Sequence, residues 1–129
     1  MTVMRPRFSD EEFDTVVQQA LARIPEEIRQ HLDNILITVQ RQPSPEMLAE
    51  AGVPPGANLF GLYWGVPLNE RSVLDPPLHP DTIFLFQDAL EEFCATREQL
   101  TEEIEITLVH EIAHLLGFTD AQLEALGYG

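Results

Sequence analysis

Between Ile106 and Phe118 the only polar side chains are Thr107, His110, Glu111 and His114. Their spacing is i, i+3, i+4, i+7, which is one stripe of an α-helix. Every other position in the stretch is Ile, Leu, Val, Ala, Phe or Gly. A helix this apolar is predicted to lie inside the domain, with its polar stripe buried or lining a cleft. Two imidazoles and a carboxylate in an interior need partners or a metal, because unpaired burial costs several kcal/mol.

The rest of the chain reads as mixed helix and strand. Ser9 and Glu12 have capping-box spacing, and Phe8 and Phe13 have hydrophobic-staple spacing. Phe13, Val16, Val17, Ala20, Leu21 and Ile24 trace the apolar face of the helix that follows, and Pro25 breaks it. Ile35 to Val39 reads as a buried strand. Ser44-Pro45 and Gly52 enclose a short helix, and Pro54-Pro55-Gly56 makes a turn. Leu59 to Trp64 is a second strand, in which Gly61 marks an edge or a close approach by another backbone. Residues 65 to 81, with Pro67, Pro76, Pro77 and Pro80, form a long loop. Ile83 to Phe86 is a third strand, and a helix starts near Asp88 and breaks around Cys94 to Arg97. The long helix is expected from about Glu98 or Thr101 to Leu116, ended by Gly117, with a short last helix from Thr119 to Leu126. Strands and helices do not alternate strictly, so the class is α+β, a small mixed sheet covered by helices.

With 129 residues the chain is expected to form a single domain, residues 1–129, able to fold without disulfides. No apolar run is long enough to span a membrane, and residues 1–13 carry no signal-like stretch. One cysteine, Cys94, fits a reducing cytoplasm, and the expected localisation is cytoplasmic. Asp plus Glu number 22 against seven Arg and no Lys, a formal charge of -15. That charge repels phosphate backbones, so no nucleic-acid partner is expected, and neutral or basic peptides are favoured instead.

The polar stripe has the geometry of a metal site. His110 and His114 are one turn apart and roughly 40° apart in projection. Their ring nitrogens can converge on one zinc ion at about 2.0–2.1 Å. Glu111, off that axis, can face water at the ion and act as general base, passing the proton to a leaving amine. The pattern is H-E-x-x-H. A catalytic zinc keeps three protein ligands. The carboxylates after His114 are Asp120 and Glu124. Gly117 can reverse the chain in a left-handed conformation, which favours Asp120. Asp120 could instead cap the last helix, although Thr119 with Gln122 can do that. His79, in the proline-rich loop, is the rival third ligand.

The run His110-Glu111-Ile112-Ala113-His114-Leu115-Leu116-Gly117-Phe118-Thr119-Asp120 resembles the extended zincin signature H-E-x-x-H-x-x-G-x-x-H/D, with Asp in the last place. The small size and the stretch Leu59 to Ser72 are similar to the bacterial minimal zincin family of metallopeptidases. The resemblance covers most of the chain after about residue 35. It implies Zn2+ on His110, His114 and Asp120, with Glu111 catalytic as the general base. It also implies a peptide or protein substrate pairing with an edge strand, placed here at Leu59 to Trp64. The methionine turn of metzincins is absent, since methionine occurs only at Met1, Met4 and Met47.

Other side chains carry weaker signals. Tyr63, Tyr128 and Arg71 are candidate oxyanion stabilisers. Glu98, Glu102 and Glu105 read as a solvated helix face. Phe60, Trp64, Phe84 and Phe86 read as core rather than as a specificity pocket, and Cys94 as a small buried apolar residue. Two other functions compete with a zinc-dependent peptidase. One is an endoribonuclease with a similar H-x-x-x-H-x-x-G-x-x-H frame, which the acidic charge disfavours. The other is a non-catalytic, metal-stabilised protein-binding module.

Overall fold

The computed structural model describes residues 8–54, 59–64 and 81–128. The chain folds as α+β, with helices packed on a small mixed sheet. Helix α1 (Asp10–Arg23) opens with the expected capping box, Ser9 accepting from the Glu12 amide and Glu12 reaching back to the Ser9 amide. It ends before Pro25, and a short helix α2 (Glu26–Arg29) continues into a 3-10 turn, Gln30–Leu32. Strand β1 (Leu36–Gln40) and helix α3 (Pro45–Ala51) follow, the latter capped by Ser44 and stopped by Gly52 with φ +70°. Strands β2 (Gly61–Trp64) and β3 (Thr82–Phe86) precede helices α4 (Gln87–Phe93), α5 (Arg97–Leu116) and α6 (Asp120–Ala125).

The spatial strand order is β1-β3-β2, with β1 parallel and β2 antiparallel to β3. Ile37 and Tyr63 flank Ile83, and Val39 and Gly61 flank Leu85. Side chains at paired positions share a face. That face joins the core through Ile37, Val39, Tyr63, Ile83 and Leu85. Against it lies the apolar stripe of α5, Leu100, Ile104, Leu108 and Ile112, and Phe13, Val16, Val17 and Ala20 of α1, which packs on α5, complete the same core. Helix α5 is thus interior, as its composition predicts. Of the strand aromatics, Phe86 is fully buried, while Trp64 and Phe84 make an edge-on pair on the opposite face. Cys94 is buried.

Three expectations change. Strand β1 begins one residue late and is only partly buried, with Leu36 54% exposed. The long helix starts earlier than expected, because Thr96 supplies the N-cap by accepting from the Gln99 amide. Glu105 is not on a solvated face. It is 9% exposed, accepts from the Tyr128 hydroxyl at 2.7 Å, and pairs with Arg23 of α1 at 2.9 Å. A buried amide–carboxylate pair also escaped the sequence reading. Gln87 Nε2 donates to Glu91 Oε1 and to the Phe8 carbonyl, and the Phe8 amide donates to the same Glu91 oxygen at 2.8 Å. This pair ties the start of the described chain to α4.

Among the described residues no helix is long and apolar enough to cross a membrane.

Candidate functional site

The site is built where α5 passes the outer strand β2. The Phe86 amide donates to the Phe60 carbonyl, so residues 60, 62 and 64 make the hydrogen-bonded pairs with β3. The backbone groups of Gly61 and Tyr63 therefore point away from β3. At Gly61 a Cβ would lie 2.6 Å from the Thr107 methyl and 3.0 Å from the Phe84 carbonyl oxygen. Only glycine lets α5 approach the strand this closely, which is the close approach its position in the sequence suggests.

Thr107 sits over Gly61, and one turn later Glu111 sits over Tyr63. A helical turn of four residues rises about 6 Å, and two strand residues advance about 7 Å, so helix and strand stay in step. The Tyr63 amide donates to Glu111 Oε2 at 3.1 Å. The Glu111 side chain is largely covered, and this burial holds its carboxyl above the usual carboxylate range. His114, the Tyr63 amide and His110 act in the opposite direction.

His114, one turn beyond His110, presents its Nδ1 3.9 Å from Glu111 Oε2. Its side chain is 71% exposed and points to solvent. His110 is half-buried, and its Nε2 lies 2.8 Å from the Tyr128 carbonyl oxygen. Gly117 takes the left-handed conformation, φ +75°, and ends α5, with the Phe118 amide returning to the Ala113 carbonyl. Thr119 and Gln122 then form a full capping box on α6. Asp120, the first residue of α6, is exposed and is not the cap.

The structure thus brings Glu111 to the β2 edge beside His114, and leaves His110 against the C-terminal turn. Asp120 follows directly on the chain reversal at Gly117. Among the described residues, no three His, Cys, Asp or Glu side chains gather around one point in this conformation. The donors nevertheless suit zinc in kind: two imidazoles one turn apart on a single helix, and a carboxylate that capping does not consume. His79 and Arg71 lie outside the described residues. Of the oxyanion candidates, Tyr128 has its hydroxyl on Glu105, and burial together with that carboxylate pushes its ionisation up. Tyr63 enters the site through its backbone, which sequence reasoning did not foresee.

Residues 32–129, more than half of the sequence, match the family described as zincin-like metallopeptidase. The chain belongs to that family. The match contains all of β1 to β3, α5 and the reversal into α6, the parts that place Glu111 and its flanking histidines. Membership in a zincin-like metallopeptidase family carries the implication of zinc. No curated protein shows significant similarity to this zincin-like chain.

Proposed function

We propose that the chain is a zinc-dependent metallopeptidase, a single unit over residues 1–129, in which His110, His114 and Asp120 hold the metal and Glu111 is the general base. The observation that supports it best is the Glu111 carboxylate, largely covered and held by the Tyr63 amide at the outward edge of β2, one residue from His110 and three from His114. Bound zinc would supply Lewis acidity, polarising the scissile carbonyl and making water a better nucleophile at neutral pH.

The protein's own groups account for the rest. The Tyr63 amide fixes one carboxylate oxygen of Glu111, so the other can take a proton from attacking water and return it to the leaving amine. A carboxyl raised by burial is a stronger base toward that proton than an ordinary carboxylate. Strand β2, the outer strand of the described sheet, is where an extended peptide would pair. The charge of -15 favours neutral or basic peptides and disfavours nucleic acid. A reducing cytoplasm suits the single cysteine.

The test is metal analysis of the purified chain together with cleavage of a mixed peptide library. One zinc per chain is expected, with hydrolysis that Glu111→Gln abolishes while zinc is retained. No zinc after supplementation overturns the reading. Zinc without hydrolysis in the unaltered chain favours a metal-stabilised binding module instead.

A further inference from the structure

We propose that the turn after α6 is a strap over His110, and that strap and zinc compete for the same ring nitrogen. The inference rests on the zinc reading above, but it concerns residues outside the signature. Gly127, with φ +91°, turns the chain after Leu126. Tyr128 is then held at three points. Its amide donates to the Leu123 carbonyl at 2.9 Å, its hydroxyl donates to Glu105 Oε2 at 2.7 Å, and its carbonyl faces His110 Nε2 at 2.8 Å. Glu105 is itself fixed by Arg23 of α1. The tyrosine ring is thus anchored to the core on one side, and its carbonyl is delivered to the histidine on the other.

A carbonyl oxygen only accepts hydrogen bonds, so Nε2 carries the proton while the strap is closed. A protonated ring nitrogen has no lone pair for a metal, since the ligating form is the bare imidazole nitrogen. Nε2 is also the nitrogen farther from the helix backbone, the one able to reach an ion shared with His114 one turn on. Strap and metal therefore exclude each other at His110. The Tyr128–Glu105 bond, five residues back on the same helix, sets how firmly the strap stays shut.

The experiment compares zinc affinity, by competition with a chromophoric chelator, in the unaltered chain, Tyr128→Phe and Tyr128→Ala. Amide hydrogen exchange over residues 123–128 is followed with and without zinc. Tyr128→Phe removes only the anchoring hydroxyl, and so keeps the test open if the alanine variant fails to fold. Losing one hydrogen bond of typical net strength corresponds to roughly 2- to 10-fold, and zinc binding is expected to tighten by that factor. Zinc is expected to speed exchange in the strap. Unchanged affinity overturns the proposal. Weaker zinc binding in Tyr128→Phe also overturns it, since the carbonyl would then be orienting the ring for a metal on Nδ1. So does exchange that zinc leaves unchanged or slows. A His110→Ala control separates the two readings. If zinc binds and His110→Ala makes no difference, the strap idea alone fails. If neither the unaltered chain nor the Tyr128 variants take up zinc, the metal reading fails and the strap with it.

Discussion

The Tyr63 amide and Glu111 Oε2, 3.1 Å apart, join the outward edge of β2 to the middle of α5. The bond crosses 48 positions of sequence, and it exists because Gly61 two residues earlier has no side chain to hold the helix away. A largely covered carboxylate and the outer strand of the described sheet are placed together by one small residue.

Gly61→Ala is therefore expected to lower stability by about 1–3 kcal/mol, the usual cost of overpacking. Chemical denaturation measures it. Thr107→Ser, which removes the methyl group that a new Cβ would meet at 2.6 Å, should recover part of the loss in the double variant. A Gly61→Ala chain with an unchanged midpoint would refute the close packing.

Glu111→Gln is expected to stabilise the metal-free protein at neutral pH. Burial raises the folded-state pKa of Glu111 above its ordinary value of 4.5. A raised carboxyl favours folding below the unfolded pKa, and that contribution is lost as pH rises through the folded one. Above both, ionised Glu111 is a liability that glutamine does not share. Thermal unfolding across pH should show the gain at pH 7 and its disappearance below about 4.5.

Thr119 and Asp120 are neighbours with separable roles. Thr119→Ala removes the cap of α6 and should cost about 0.5–2 kcal/mol of stability with little effect on zinc. Asp120→Ala should leave the cap intact and weaken zinc binding by roughly 10-fold or more, since even outer partners of a metal site cost that much. Chelator competition alongside denaturation checks both. Full zinc retention in Asp120→Ala would point instead to His79 or to a ligand from another chain.

Glu102 and Glu105 are nearly one turn apart on α5 yet should respond differently. Glu102 is exposed, and its replacement by alanine should change stability by less than about 0.5 kcal/mol. Glu105 is buried between Arg23 and Tyr128, and Glu105→Ala should cost about 1–3 kcal/mol. Equal midpoints for the two variants would contradict that burial.

The sequence makes legible whatever is local. The capping boxes at Ser9 and Thr119, the stops at Gly52 and Gly117, and the polar stripe of α5 each depend on residues within about one or two turns. Gly61 also announces a close approach, although not by which element. What stays hidden depends on distant partners. Glu105 sits at a solvent-like spacing, and its partners Arg23 and Tyr128 come from elsewhere in the chain. Glu91 and Gln87 are interior because the backbone of Phe8 returns to them from about 80 residues away. The partners of Glu111 and His110 are backbone groups of Tyr63 and Tyr128. Every residue owns such groups, so no residue type signals them.

The strand order β1-β3-β2 has a consequence for synthesis. Of the described strands the central one is the last to leave the ribosome, so neither described ladder can form until Thr82–Phe86 emerges. Among the described residues neither ladder is a short hairpin, and both close long stretches of chain. Completion of this sheet therefore waits on a late segment of the chain, which lengthens the interval open to misassembly.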